Sequence, residues 1–60
     1  MITIKFMLID TNPPHVDHIE ESMRAVPRVH EYVAIGSEIW RVEDVTHSMS
    51  TQEISVRAVR

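Results

Sequence analysis

The sequence contains no cysteine, a single glycine (Gly36), three prolines and one each of Trp, Tyr and Phe in sixty positions. Without cysteine the chain has neither a disulfide scaffold nor a thiolate zinc site. No apolar run approaches the ~20 residues that span a bilayer. The opening MITIKFMLI is short, carries Lys5 and lacks a small-residue cleavage site, so the sequence predicts a soluble, cytoplasmic protein. Also missing are a GxSxG elbow, an HExxH pair and a phosphate loop, which argues against an enzyme and against a resident cofactor.

What is present fits one small domain over residues 1–60. The apolar share of 43% and the charged share of 25% are those of an ordinary globular chain. A chain this short buries only about 60% of the surface it exposes when unfolded. With disulfides excluded, self-association into a homo-oligomer is the expected way to complete the core. The formal net charge of −3 makes the chain a poor binder of duplex nucleic acid, whose affinity comes mainly from neutralised phosphates. Acids dominate the first third (Asp10, Asp17, Glu20, Glu21 against Lys5), whereas every basic residue after Lys5 is Arg. Arg favours forked, planar recognition of carboxylate or phosphate, so a small anionic ligand stays open.

The patterning predicts a mostly β (α+β) protein. Ile2, Ile4, Phe6 and Leu8 alternate with Thr3 and Lys5 and define an N-terminal strand with one face on the core. Met7 and Ile9 fall on its other face, as in a strand covered on both sides or lying at a subunit interface. Asp10-Thr11-Asn12-Pro13-Pro14 ends that strand. Val16, Ile19, Met23 and Val26 then recur at spacings of three, four and three, which predicts a short helix over 13–25 capped by Asn12 and stopped by Pro27. A β-strand over 15–23 is the rival, because the stripe is thin and two His interrupt it. Downstream, Glu31–Ile35 and Glu38–Val42 flank Gly36-Ser37, a two-residue type II′ hairpin signal. The alternation slips after Val42, which predicts a bulge near Glu43-Asp44. Ser48–Gln52 is a polar loop, and Ile54, Val56 and Ala58 form a closing strand. A strand, a short helix and a three-stranded antiparallel meander suit a strongly bent sheet or a small SH3-like barrel.

Three constellations carry possible chemistry. His15, Asp17 and His18, with His30-Glu31 downstream, have ligand residue types, but no zinc-site spacing follows them, and solvated histidines are the simpler reading. Glu43 and Asp44 are adjacent, so in a strand they point to opposite faces and do not form a paired-carboxylate site. The most specific set is Arg28, His30 and Tyr32, which share a face if residues 28–32 are extended, with Trp40 and Arg41 across the hairpin. An aromatic ring to stack on a base, with Arg forks for phosphate, is the minimum kit for a nucleotide site. His47, at a strand end, is the last candidate donor. Against this stands packing: a lone Trp in a small domain is usually the core's largest block, with Tyr beside it.

Residues 27–47, PRVHEYVAIGSEIWRVEDVTH, resemble a pattern in short phage and prophage proteins: Pro-Arg-Val-Gly-Glu, a hydrophobic strand, a Gly turn, aromatic-x-Val, then Val-x-His. The resemblance covers about a third of the chain and departs at His30, where the pattern has Gly. Small oligomeric phage proteins include anti-defence proteins that sequester nucleotide immune signals. The resemblance therefore implies stoichiometric binding without turnover, in the host cytoplasm; the all-Arg C-terminal half with its aromatics, and a core too small to stand alone, point to capture of a small anionic ligand of nucleotide type at a homo-oligomer interface. The resemblance carries over no site residue. The sequence reading names Arg28, His30, Tyr32, Trp40, Arg41 and His47 as ligand-binding, with no metal. The alternatives are an inhibitor that covers a basic host-protein surface with Asp10, Asp17, Glu20 and Glu21, or a structural phage component without a ligand.

Overall fold

The computed structural model describes all residues, Met1–Arg60, and is built entirely from β-structure. Five strands follow one another: β1 (Ile2–Thr11), β2 (Pro14–Met23), β3 (Tyr32–Ile35), β4 (Glu38–Ser48) and β5 (Glu53–Val59). They form one strongly curled half-barrel sheet in the order β2-β1-β5-β4-β3. All neighbours are antiparallel except β1 and β5, which run parallel in the register Phe6 with Val56. The bent sheet and the meander β3-β4-β5 are as the patterning predicts. No helix is present, so none is long and apolar enough to cross a membrane.

The alternating residues of β1 do what their spacing requires. Ile4, Phe6 and Leu8 are buried, while Lys5 and Met7 face outward. They meet Val56 and Ala58 of β5, Trp40 and Val42 of β4 and Val33 of β3 in a single core, with Ile2, Ile19, Met23, Val26, Ile35, Val45 and Ile54 packed around it. Gly36 has φ +62° and Ser37 has no positive φ, which matches the type II′ hairpin read from the sequence. The slip after Val42 is a real bulge: Val42 pairs with Ala58, but Asp44, not Glu43, pairs with Arg57. The extra residue returns Val45 to the core face, opposite Val56.

The helix over 13–25 is corrected. Residues Pro14–Met23 are strand β2, antiparallel to β1 from Thr11↔Pro14 to Ile2↔Met23, close to the rival strand over 15–23. Three physical reasons account for it. Pro13 precedes Pro14, and a residue before proline is pushed out of the α region, so the proposed helix start is disfavoured. Ile19 and Met23 are four apart, a spacing that shares a face in a strand as well as in a helix. Only these two of β2 are partly buried, and Val16 falls on the opposite, outward face. Finally, β1 bonds β5 along one side only, and β2 satisfies the backbone groups along its other side. The turn between the two strands is Asn12-Pro13, joined by a cis peptide bond.

Candidate functional site

The six residues singled out from the sequence do not form one site. Arg28 and His30 lie in a turn that precedes β3, so they share no strand face with Tyr32. That turn is tight. The Arg28 backbone N–H donates to Glu31 Oε1 at 2.7 Å, and the Arg28 carbonyl accepts from the Glu31 N–H at 3.0 Å. His30 has φ 74°, a conformation that favours glycine, and its N–H donates to the Val42 carbonyl at 2.8 Å. The position that the phage-type pattern fills with Gly is thus a left-handed one.

Trp40 is corrected as a stacking platform. It is 6% exposed and forms part of the core, with the Arg60 guanidinium 5.6 Å from its ring centroid. Its indole N–H is buried and has no hydrogen-bond partner. His47 belongs to the far end of β4, opposite Ile54. Seven residues of strand, roughly 20 Å, separate it from Trp40. His15 and His18 point to opposite faces of β2, and His15 Nε2 lies 3.0 Å from Asp17 Oδ1. No group of three His, Asp or Glu side chains is placed to hold a metal ion.

Tyr32 and Arg41 do come together. They are register partners on the outward face of the β3–β4 hairpin. With Ile39, Val59 and Arg60 they line an open cleft of about 250 Å³. Tyr32 is 70% exposed, so its ring is free on one face. Arg41 Nη2 donates to Glu43 Oε1 at 2.6 Å, and this hydrogen bond, followed by the Glu43 charge, holds the guanidinium pKa above its ordinary value. Arg60 closes the cleft from the C-terminus, where its guanidinium pairs with Glu38 and lies 3.8 Å from Asp10. The sequence reading missed Arg60, because only the parallel pairing of β5 with β1 brings residue 60 beside Asp10; its N–H donates to the Ile9 carbonyl at 3.2 Å.

A larger groove of about 560 Å³ crosses the outward face of β2, β1, β5 and β4. Its walls are two cross-strand rungs, Glu20–Lys5–Ser55–Thr46 and His18–Met7–Arg57–Asp44. Here cations and acids balance. Lys5 Nζ donates to Glu53 Oε1 at 2.9 Å, and Arg57 pairs with Asp44. The smaller cleft differs in its aromatic ring: Tyr32 stands beside two guanidinium groups, each paired with a carboxylate at its edge, Arg41 with Glu43 and Arg60 with Glu38. Of the two, the cleft is the one that sets an exposed aromatic ring beside guanidinium forks. Comparison with protein-family models, with curated proteins and with solved structures returns no match.

Proposed function

We propose that this chain is a non-enzymatic, cytoplasmic binding protein that captures a small anionic ligand of nucleotide type at a homo-oligomer interface. Sequestration without turnover, of the anti-defence kind, is the role this reading gives it. The observation that carries the reading is the pairing of the exposed Tyr32 with Arg41 in a cleft that Arg60 also lines. A base stacks on the exposed Tyr32 ring, a contact of about 1–3 kcal/mol. Phosphate oxygens exchange with Glu43 for the Arg41 fork, a bidentate partner of matching geometry. Arg28, His30 and His47 have no part in this version of the site, and Trp40 supports it from the core.

The test is thermal unfolding against mononucleotides, cyclic mononucleotides and cyclic dinucleotides. A ligand at one hundred times its Kd stabilises the folded state by about 2.7 kcal/mol, a clear upward shift in Tm. Arg41→Ala and Tyr32→Ala are each expected to weaken that ligand at least tenfold. No shift with any nucleotide, or affinity unchanged in both variants, overturns the reading.

A second reading is favoured by one feature of β2. It is a ten-residue edge strand, its outer backbone groups unpaired, carrying Asp17, Glu20 and Glu21 and no Lys or Arg. An extended basic segment of another protein fits such an edge as an added strand. That reading predicts a partner whose affinity falls steeply with salt and is lost in a Glu20→Lys/Glu21→Lys variant, while nucleotides leave Tm unchanged.

A further inference from the structure

The Ile9 carbonyl accepts from the Arg60 N–H, so Ile9 turns its backbone groups toward β5. Those groups alternate sides along a strand, which aims Leu8, Phe6 and Ile4 of β1 at their register partners Asp17, Ile19 and Glu21 in β2. The residues between and beside them, Val16, His18, Glu20 and Ser22, therefore turn N–H and C=O to the far side of β2, where no further strand follows. This edge is long and open. Its pairing with β1 runs without a bulge over ten residues, its only proline is its first residue, and the charge that guards it is acidic throughout.

We infer that this edge takes an extended segment of a partner protein as a sixth, antiparallel strand, and that the segment runs basic–basic–apolar opposite Glu21, Glu20 and Ile19. The inference rests on the second functional reading and sharpens it to a register. It leaves the Tyr32–Arg41 cleft uncovered, because β3 is the opposite edge of the sheet. Unspent charge sets the two basic positions. Of the nine carboxylates in the chain, only Glu20 and Glu21 have neither an ion pair nor a hydrogen bond. Lys5, the register partner of Glu20, is bonded to Glu53 instead, and Asp17 holds His15. Glu20 and Glu21 are successive residues on opposite faces, so two adjacent basic residues of an added strand meet one each.

The core sets the third position. Ile19 is half-buried against the core, and an apolar residue beside it extends the inward rung Val45–Val56–Phe6–Ile19 by one member. Main-chain hydrogen bonds to Val16, His18, Glu20 and Ser22 supply the affinity, and these three side-chain positions supply the selectivity. A second copy of the chain is a poor occupant. Its β2 offers three acids and no Lys or Arg, and like charges set opposite one another are destabilising. Both free carboxylates are exposed, so each basic partner is worth up to about fivefold in affinity.

The probe is the peptide Thr-Lys-Arg-Val-Thr-Thr-Val, blocked at both ends and titrated from about 10 μM to about 1 mM into the isotopically labelled chain without nucleotide. Saturable binding is expected, with amide hydrogen exchange slowed selectively at Val16, His18, Glu20 and Ser22, whose N–H groups gain partners. The isomer Thr-Lys-Thr-Arg-Val-Thr-Val, with both basic residues on one face, is expected to bind at least threefold more weakly. The same loss is expected for the first peptide on the Glu20→Gln/Glu21→Gln variant. His18→Pro deletes one open N–H at a place where an edge strand tolerates proline, and is expected to weaken the peptide at least tenfold. Amide spectra show that each variant is folded. Equal affinity for the two peptides overturns the inferred register and leaves strand addition standing. No binding, or binding without the alternating protection, overturns the inference and the second functional reading together. In the chain alone, protection of the same four amides that fades on dilution places a second copy at the edge and overturns the inference.

Discussion

At the scale of single residues, His30 stands out because its φ of 74° is one that L-amino acids enter at a cost of about 1 kcal/mol. Its backbone N–H is committed to the Val42 carbonyl, so the ladder between the turn and β4 holds the residue there. His30→Gly removes the steric cost but adds unfolded-state entropy, and the net expectation is a gain of up to about 1 kcal/mol. Urea unfolding monitored by Trp40 fluorescence measures it, and a loss of stability would show that the exposed imidazole has a structural role. Arg41 is the other residue on which much turns. It was legible in the sequence as a candidate, and its partner Glu43, two residues on in the same strand, shares its face by simple alternation.

Among elements, β1 and β5 are each legible as strands from their alternation, but nothing local shows that they pair. They are parallel neighbours far apart in the chain, and their pairing is fastened on the outward face by Lys5 and Glu53. The hydrogen bond from Lys5 to Glu53, with the Glu53 charge behind it, raises the Lys5 pKa above 10.5. A raised amine pKa contributes stability that is fully present below the unfolded value, near 10.4, and is lost as pH rises through the folded value. The stability difference between the native chain and Lys5→Met is therefore expected to be constant from pH 8 to about 10 and to shrink above it. Denaturant midpoints at intervals across that range check the sign; a difference that grows with pH would contradict it. Both ends of the pair are exposed, so the effect is small.

For the whole molecule, stability rests on eight apolar residues in one core, of which Phe6 is the largest that is fully buried. A domain of this length has roughly 3–9 kcal/mol of net stability. Phe6→Ala removes about 3–5 kcal/mol and is expected to leave the chain largely unfolded at room temperature. Circular dichroism and amide dispersion report this directly; a folded, cooperative Phe6→Ala variant would mean that the core collapses around the deletion or that assembly supplies the missing stability. Raising the protein concentration separates those two outcomes, since only stability from assembly depends on it.

Much of this protein was determined by local pattern. Period-two alternation in residues 2–8 and 54–58, the lone Gly36 before Ser37 and the slip after Val42 gave strands, a hairpin and a bulge, because each depends on steric preferences acting over a few residues. Two things were left to tertiary structure. Ile19 and Met23 satisfy helix and strand spacing alike, and Pro13 before Pro14 only disfavours a helix start, so it took the unpaired side of β1 to extend residues 14–23 as β2. Trp40 and Arg41 are neighbours in sequence with equal claims on a ligand, yet strand alternation sends one into the core and the other to the surface beside Tyr32. Which of the two faces inward depends on where the sheet finds its core, and that choice is made by contacts between distant strands.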